Sequence, residues 1–356
     1  MRILQVITGM GKAAGTSLFC GELSNELVAN GHSVTVAICT LGRPNQFALE
    51  PRIELRTIDG LESVKDWDVV HIHALWHPAL QRVAKLATSE GVPVIWSPHG
   101  MLTPWAMQNK WLKKKLGWYL YQRKNLAAAA LLHATAESEV EDIRRLGLEN
   151  EVIVAPLGVR LVAEADIHHR GAGNKKTLLF VSRIQRKKGL PNLIEAWSRL
   201  PVELRSNWQV RIVGPDQDNH TAELKAQCEA RGVSADFEFV GPRYDQKLQA
   251  EYARADLFVL PTHSENFGSV VIEALAQSVP VICTKGAPWE ELEINQCGWW
   301  IDIGVEPLVA ALEKAMALPD DERRWLGANG LALVRQRYAW GVVADKMSAA
   351  YGRIIK

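Results

Sequence analysis

The segment Glu265-Asn-Phe-Gly-Ser-Val-Val-Ile-Glu273 places two carboxylates eight residues apart, with a glycine turn and the start of a helix between them. An apolar run, Ala255-Asp-Leu-Phe-Val-Leu-Pro261, leads in, and Val270 to Ala276 leads out at helical spacing. Strand, turn and helix in this order predict free backbone N–H groups where the helix begins, a favourable place for a phosphate. Glu273 lies about one turn into that helix, positioned to accept hydrogen bonds from ribose hydroxyls. Glu265, before the turn, faces whatever is attached beyond the phosphates. Arg183 and Lys188 supply the positive charge that a diphosphate leaving group needs. These residue types in this order read as a site for a nucleotide-diphosphate sugar.

Outward from this segment the chain alternates strands and helices. Ile3–Ile7, Val34–Cys39, Val69–His73, Pro93–Trp96, Ala129–Ala134 and Val152–Ala155 read as buried strands, with a helix at about 17–30 closed by Gly31. A second series follows at 177–181, 209–213, 237–240, 257–260 and 279–283. The stretch 160–176 breaks the composition and reads as a linker. Alternation of this kind implies parallel, doubly wound sheets, which bind ligands beyond the carboxyl ends of their strands. Two such halves joined by one linker predict a cleft between domains.

The chain of 356 residues carries a net charge of +1, so no global charge points to nucleic acid. Its five cysteines are scattered without a C-x-x-C pair, which reads as a reduced, cytosolic protein without structural zinc. Met1–Thr8 is too short and strand-like for a signal peptide, and Leu126–Leu132 is too short to span a membrane. His71 and His73 share one face of a strand, a spacing compatible with zinc but better read as one edge of a cleft. No cofactor and no metal are expected.

With these motifs in place, the chain resembles, over nearly its whole length, the retaining glycosyltransferases of the GT-B fold in the group-1 family (glycosyltransferase family 4). Gly15 through Val36 resembles that family's opening Gly-rich loop and helix, and Ser97-Pro-His-Gly100 its catalytic His segment. Pro156-Leu-Gly-Val159 is similar to its interdomain turn, Val181 through Gly189 to its Arg…Lys-Gly phosphate segment, and Glu265…Glu273 to its E-x7-E signature. Ala14, Asn266 and Leu157 depart from the pattern without removing a charged group.

The resemblance implies an α/β GT-B architecture of two Rossmann-like domains facing a central cleft. Residues 1–160 would bind the acceptor and 161–340 the nucleotide sugar, with the C-terminal helix 341–356 crossing back to the first domain. His99 would contact and orient the donor sugar without acting as a base. Glu265 would hold sugar hydroxyls while Arg183 and Lys188 stabilise the leaving diphosphate. Gly15 and the backbone of Asn266, Phe267, Gly268 and Ser269 would approach the donor, and its base would rest near Val213, Gly214 and Val240. The donor would be UDP- or GDP-linked. The acceptor would be a glycan or a polyprenyl-diphosphate-linked oligosaccharide of bacterial surface polysaccharide assembly.

Between Glu90 and Glu137 there is no acid. Inside that gap Trp111 and Trp118 interleave with Lys113, Lys114 and Lys115, and Trp111, Leu112, Lys115, Trp118 and Tyr119 fall near one side of a helix. Basic and aromatic residues together suit an anionic bilayer surface, placing the protein in the cytoplasm and peripherally on the inner face of the membrane. An ordinary helix with a core stripe and a solvated basic face fits the same residues. Trp76 and Trp105 are candidate acceptor contacts. Gly9-Met-Gly-Lys-Ala-Ala14 matches a dinucleotide fingerprint, but the strand ending Ile38-Cys39-Thr40 lacks the acid that an NAD-dependent oxidoreductase requires. A nucleotide-sugar epimerase or inverting transferase does not usually carry the E-x7-E pair. A non-catalytic scaffold of the same fold would be signalled by loss of His99, Arg183 or Glu265, and all are present.

Overall fold

The computed structural model describes residues 1–11, 15–40, 48–108, 111–161 and 175–355, apart from the side chain of Trp105. Ala14 and most of the expected linker lie outside the described residues. The chain divides into two compact units, Met1–Gly158 with Trp340–Lys356, and Val159–Ala339.

The first unit holds β1 (Arg2–Val6), β2 (Ser33–Ile38), β3 (Glu54–Thr57), β4 (Val69–His73), β5 (Val94–Ser97), β6 (Leu131–Ala134) and β7 (Val152–Val154) in one sheet, ordered β3-β2-β1-β4-β5-β6-β7. All pairings are parallel. Parallel sheets are covered on both faces, which is why β4 and β5 are buried along their whole length. On one face pack helix Gly15–Ala29 and helix Trp340–Ile354, joining Phe19, Leu23, Leu27, Val343, Met347 and Tyr351 in one apolar cluster with Ile3, Val69 and Ile95. The last helix buries Trp340, Val343, Ala344, Met347, Ala350 and Tyr351, the three-and-four spacing of an amphipathic helix. Gly158 admits it closely, since a Cβ there would sit 2.5 Å from the Trp340 ring.

The second unit holds β8 (Lys176–Val181), β9 (Trp208–Val213), β10 (Phe237–Gly241), β11 (Leu257–Leu260), β12 (Val281–Thr284) and β13 (Gly298–Ile301), ordered β10-β9-β8-β11-β12-β13. Each sheet starts at a central strand, winds one way, then crosses to the other side. The crossover points are β1/β4 and β8/β11. Ligands of doubly wound sheets bind at the carboxyl ends of strands flanking such a point.

Candidate active site

The second unit gathers its charged candidates at the β8/β11 crossover. Arg183 follows β8 directly, Lys188 ends the short turn Arg186–Lys188, and Glu265 follows β11. Backbone bonds tie these loops together. His263 N–H donates to the Lys187 carbonyl (2.8 Å) and Glu265 N–H to the Gly286 carbonyl (2.7 Å). Gly189, at φ +71°, packs so closely that a Cβ would lie 1.9 Å from the Pro261 carbonyl oxygen. Glycine is required there both for its left-handed backbone and for the approach. Lys188 and Glu265 form a direct ion pair with side chains 8% and 14% exposed. Burial pushes the Lys188 ammonium below its usual range, and Glu265 opposes that shift. Arg183, by contrast, is exposed, and among the described residues its guanidinium has no hydrogen-bond or ion-pair partner. Among the described residues, the site thus offers the open cation of Arg183 beside a neutralised pair.

Glu273 lies on helix Val270–Ala276 and is partly buried. Its carboxylate accepts a 2.8 Å hydrogen bond from the Tyr252 hydroxyl and another from Ser269. Burial raises its pKa, and these two hydroxyls oppose the rise. The turn before the helix is held by Trp289, whose indole N–H donates to the Phe267 carbonyl (2.6 Å). Among the described residues no acceptor meets the backbone N–H of Phe267, Gly268 or Ser269. Val213, Gly214 and Val240 sit at the ends of β9 and β10, where the Gly214 N–H donates to the Gly241 carbonyl (3.0 Å). Tyr252 was not among the sequence candidates. It comes from helix Asp245–Ala253, and nothing in its local sequence marks it.

In the first unit, His99 follows β5 in a left-handed conformation, φ +52°. Two further non-glycine residues at positive φ, Ala74 (+73°) and Trp76 (+71°), follow β4. Strained backbone of this kind concentrates at functional sites. The His99 loop is held by Glu139, a buried carboxylate that accepts from the Gly100 N–H (2.5 Å) and from the Thr135 N–H (2.8 Å) and hydroxyl (2.9 Å). The His99 ring packs against Phe19 (5.3 Å between centroids) and lies side by side with the His73 ring, 21° from parallel. Burial, with His133 adding to it, lowers the His99 pKa to about 3, so the ring is neutral near pH 7. His71 and His73 are fully buried and hydrogen-bonded, so they form an interior layer rather than an exposed edge. Gly15 opens helix Gly15–Ala29 and is exposed. Among the described residues no group of three His, Cys, Asp or Glu is arranged to hold a metal ion.

The basic and aromatic segment forms helix Trp111–Gly117, a wider π-helical turn Trp118–Gln122, and helix Arg123–Ala127. Trp111, Leu112, Leu116, Tyr119 and Leu120 are 54–72% exposed, and Lys113 and Lys115 are exposed beside them. Lys114 is half-buried, with its ammonium 5.9 Å from the centre of the Trp76 ring. Trp118 corrects the sequence reading: it is buried in the apolar core with Leu126. Trp111, at the first residue of its helix, Leu112, Lys115 and Tyr119 stay exposed while packing takes Trp118 inward. Trp118 and Gln122 of the widened turn and Leu126 of the following helix, four residues apart, make the buried face.

The model of glycosyl transferases group 1 matches residues 164–331, and that of the glycosyl transferase 4-like domain matches 14–158. D-inositol 3-phosphate glycosyltransferase of Xylanimonas cellulosilytica is 26% identical over 98% of this chain and 94% of its own. The lipopolysaccharide core biosynthesis mannosyltransferase LpsB of Rhizobium meliloti is 28% identical over 51% of this chain and 53% of its own. The crystal structure of Anabaena HepE in complex with UDP and glucose superposes with a TM-score of 0.74 at 18% identity, covering 99% of this chain and 100% of that one. The two models, matching in turn the parts that carry His99 and the E-x7-E pair, and the two parallel sheets wound as in that structure, make this chain a GT-B glycosyltransferase of the group 1, glycosyltransferase 4-like family.

Proposed function

We propose that this glycosyltransferase moves a hexose, with retention, from a nucleotide-diphosphate sugar to a glycan or lipid-linked oligosaccharide of bacterial surface polysaccharide assembly. The observation that carries this reading is the loop cluster at the β8/β11 crossover, where Arg183, without a partner among the described residues, stands beside the Lys188–Glu265 pair. Glu273 takes the ribose hydroxyls, and the open N–H groups of Phe267, Gly268 and Ser269 take donor oxygens. Arg183 and Lys188 stabilise the diphosphate as it leaves. The bond from the sugar's anomeric carbon to the phosphate oxygen breaks, and a bond to the acceptor oxygen forms on the same face. The departing phosphate oxygen takes the acceptor's proton, so no protein base is required. His99 contacts the donor sugar. UDP bound by HepE and the lipopolysaccharide role of LpsB support the donor class and the setting. The test is slow hydrolysis of a panel of UDP- and GDP-hexoses followed by proton NMR. Release of the sugar first in the donor's own anomeric form is expected, and release of the opposite anomer would overturn retention.

A second observation favours a peripheral position on an anionic membrane. Five large apolar side chains of 111–120 are more than half exposed, beside Lys113 and Lys115 and within a stretch free of acids from Glu90 to Glu137. Apolar insertion and attraction to anionic headgroups act together on such a face. Flotation with vesicles of phosphatidylglycerol and phosphatidylethanolamine tests it. Binding that falls with salt and with charge reversal of Lys113–Lys115 is expected, and unchanged binding would overturn the reading.

A further inference from the structure

Behind His99 runs a layer of polar side chains on the strands β1, β4, β5 and β6. Gln5, His71, His73, Ser97 and His133 are all 0% exposed, and they lie on the sheet face covered by the last helix, which adds Tyr351. Side chains buried this completely must satisfy their hydrogen bonds among themselves. They do so as one continuous chain. His99 Nε2 meets His73 Nδ1 (3.0 Å), and His73 Nε2 meets Gln5 Oε1 (2.7 Å). Gln5 Nε2 meets the Tyr351 hydroxyl (3.3 Å), which meets His71 Nδ1 (2.7 Å). His71 Nε2 meets Ser97 Oγ (2.6 Å), Ser97 Oγ meets His133 Nδ1 (2.6 Å), and His133 Nε2 meets the Ala155 carbonyl (2.7 Å).

The far end sets every direction. A carbonyl only accepts, so His133 carries its proton on Nε2. Burial holds all four histidines below their usual range, His133 at about 4, so each ring is neutral near pH 7 and its other nitrogen accepts. Ser97 therefore donates to His133 and accepts from His71 Nε2–H. Tyr351 donates to His71 Nδ1 and accepts from the Gln5 amide. Gln5 Oε1 accepts from His73 Nε2–H, leaving His73 Nδ1 to accept from His99 Nε2–H. The chain passes through an amide and stops on a carbonyl, so it holds protons in place and does not relay them. His99 Nδ1 is left with a lone pair and no partner among the described residues.

We infer that this hydrogen-bond chain fixes His99 as the Nε2–H tautomer, so that its Nδ1 accepts a hydrogen bond from a hydroxyl of the donor sugar, with Gln5, His73, Tyr351, His71, Ser97 and His133 as positioning residues. The hydroxyl contact rests on the donor-sugar reading of His99; the tautomer assignment does not. A sugar offering only an acceptor at this point, such as one whose hydroxyl is methylated, is selected against.

The test uses the full chain labelled with 15N-histidine, with His99→Gln to assign the signal. Long-range proton–nitrogen correlation reads which ring nitrogen carries the proton. At pH 7, His99 with its proton on Nε2 is expected, and a proton on Nδ1 would overturn the inference. Gln5→Glu supplies a carboxylate that stabilises a second proton on His73, whose Nδ1–H then donates to His99 and drives the His99 proton to Nδ1. The affinity for UDP-glucose and GDP-mannose then falls about tenfold relative to UDP and GDP. An unswitched His99 in this variant would overturn the chain. A switched tautomer with an unchanged affinity ratio would overturn the sugar contact alone. Should Gln5→Glu not fold, Tyr351→Phe interrupts the same chain and is expected to populate both tautomers of His99; a tautomer unchanged there would equally overturn the chain.

Discussion

Tyr252→Phe removes a single oxygen from the protein. The ring stays, packed 5.9 Å from Phe258 and 3% exposed, so apolar burial is preserved. What is lost is the 2.8 Å hydrogen bond to the Glu273 carboxylate, leaving that group with Ser269. A hydrogen bond to a charged acceptor contributes roughly 1.5–3 kcal/mol, so the second unit is expected to lose about 2 kcal/mol near pH 7. For a unit spanning Val159–Ala339 this is a fall in Tm of roughly 4–8 °C. In a Glu273→Gln background the partner is neutral and the same change costs about 1 kcal/mol, leaving a coupling of about 1 kcal/mol. Native-state hydrogen exchange of the β11 and β12 amides reads both values within this unit. The pH dependence follows from the sign of the Glu273 shift. Its folded pKa is raised by burial, so the ionised carboxylate destabilises: stability is highest below the unfolded value and falls as pH rises through the folded one. Removing the opposing hydroxyl raises the folded value further. The cost of Tyr252→Phe therefore falls toward about 1 kcal/mol in acid, where Glu273 is neutral, and is complete once Glu273 is ionised in both proteins. A cost equal in both backgrounds, or largest in acid, would refute the reasoning.

Arg183→Ala is expected to leave stability within about 0.5 kcal/mol, since the side chain is exposed and has no partner among the described residues, and to weaken nucleoside diphosphate binding by about 10–100-fold in calorimetric titration. Gly189→Ala forces a left-handed alanine whose Cβ lies 1.9 Å from the Pro261 oxygen; a loss of about 3 kcal/mol or more in denaturant unfolding is expected. Leu112→Ser with Leu116→Ser removes two exposed apolar side chains from the segment proposed to meet the bilayer. At about 1 kcal/mol each, vesicle partitioning is expected to fall roughly thirtyfold in flotation, with thermal stability unchanged.

The two parallel sheets were legible because their strands read as short apolar runs bounded by turns. Two edge strands were not: β3, Glu54–Thr57, is exposed with almost no apolar signal, and β13, Gly298–Ile301, is short and only partly buried. The cations and the two glutamates of the second unit stood out because each lies within a few residues of a strand end or glycine turn. Their partners did not. Tyr252 reaches Glu273 across 21 residues, Glu139 reaches Gly100 across 39, and Tyr351 reaches His71 across 280. Such pairings are made by packing between elements, which local spacing does not encode. Trp118 shows a different limit, since residues that share one side of a helix by spacing are divided by packing, which buries Trp118 and leaves Trp111, Leu112, Lys115 and Tyr119 exposed. The hydrogen-bond chain behind His99 did leave a trace: Gln5, His71, His73, Ser97 and His133 are polar residues inside or at the end of otherwise apolar strands.

The central claim is that Glu273 and the β8/β11 loops hold a nucleotide-diphosphate sugar. Thermal unfolding with UDP, GDP, dTDP, ADP and NAD⁺, beside Glu273→Ala, tests it most directly. At about a hundred times its Kd a ligand stabilises the fold by about 2.7 kcal/mol, a readily measured shift. A shift with one nucleoside diphosphate that is lost in Glu273→Ala is the predicted result. A shift with NAD⁺ alone, or none with any of the five, would contradict the account.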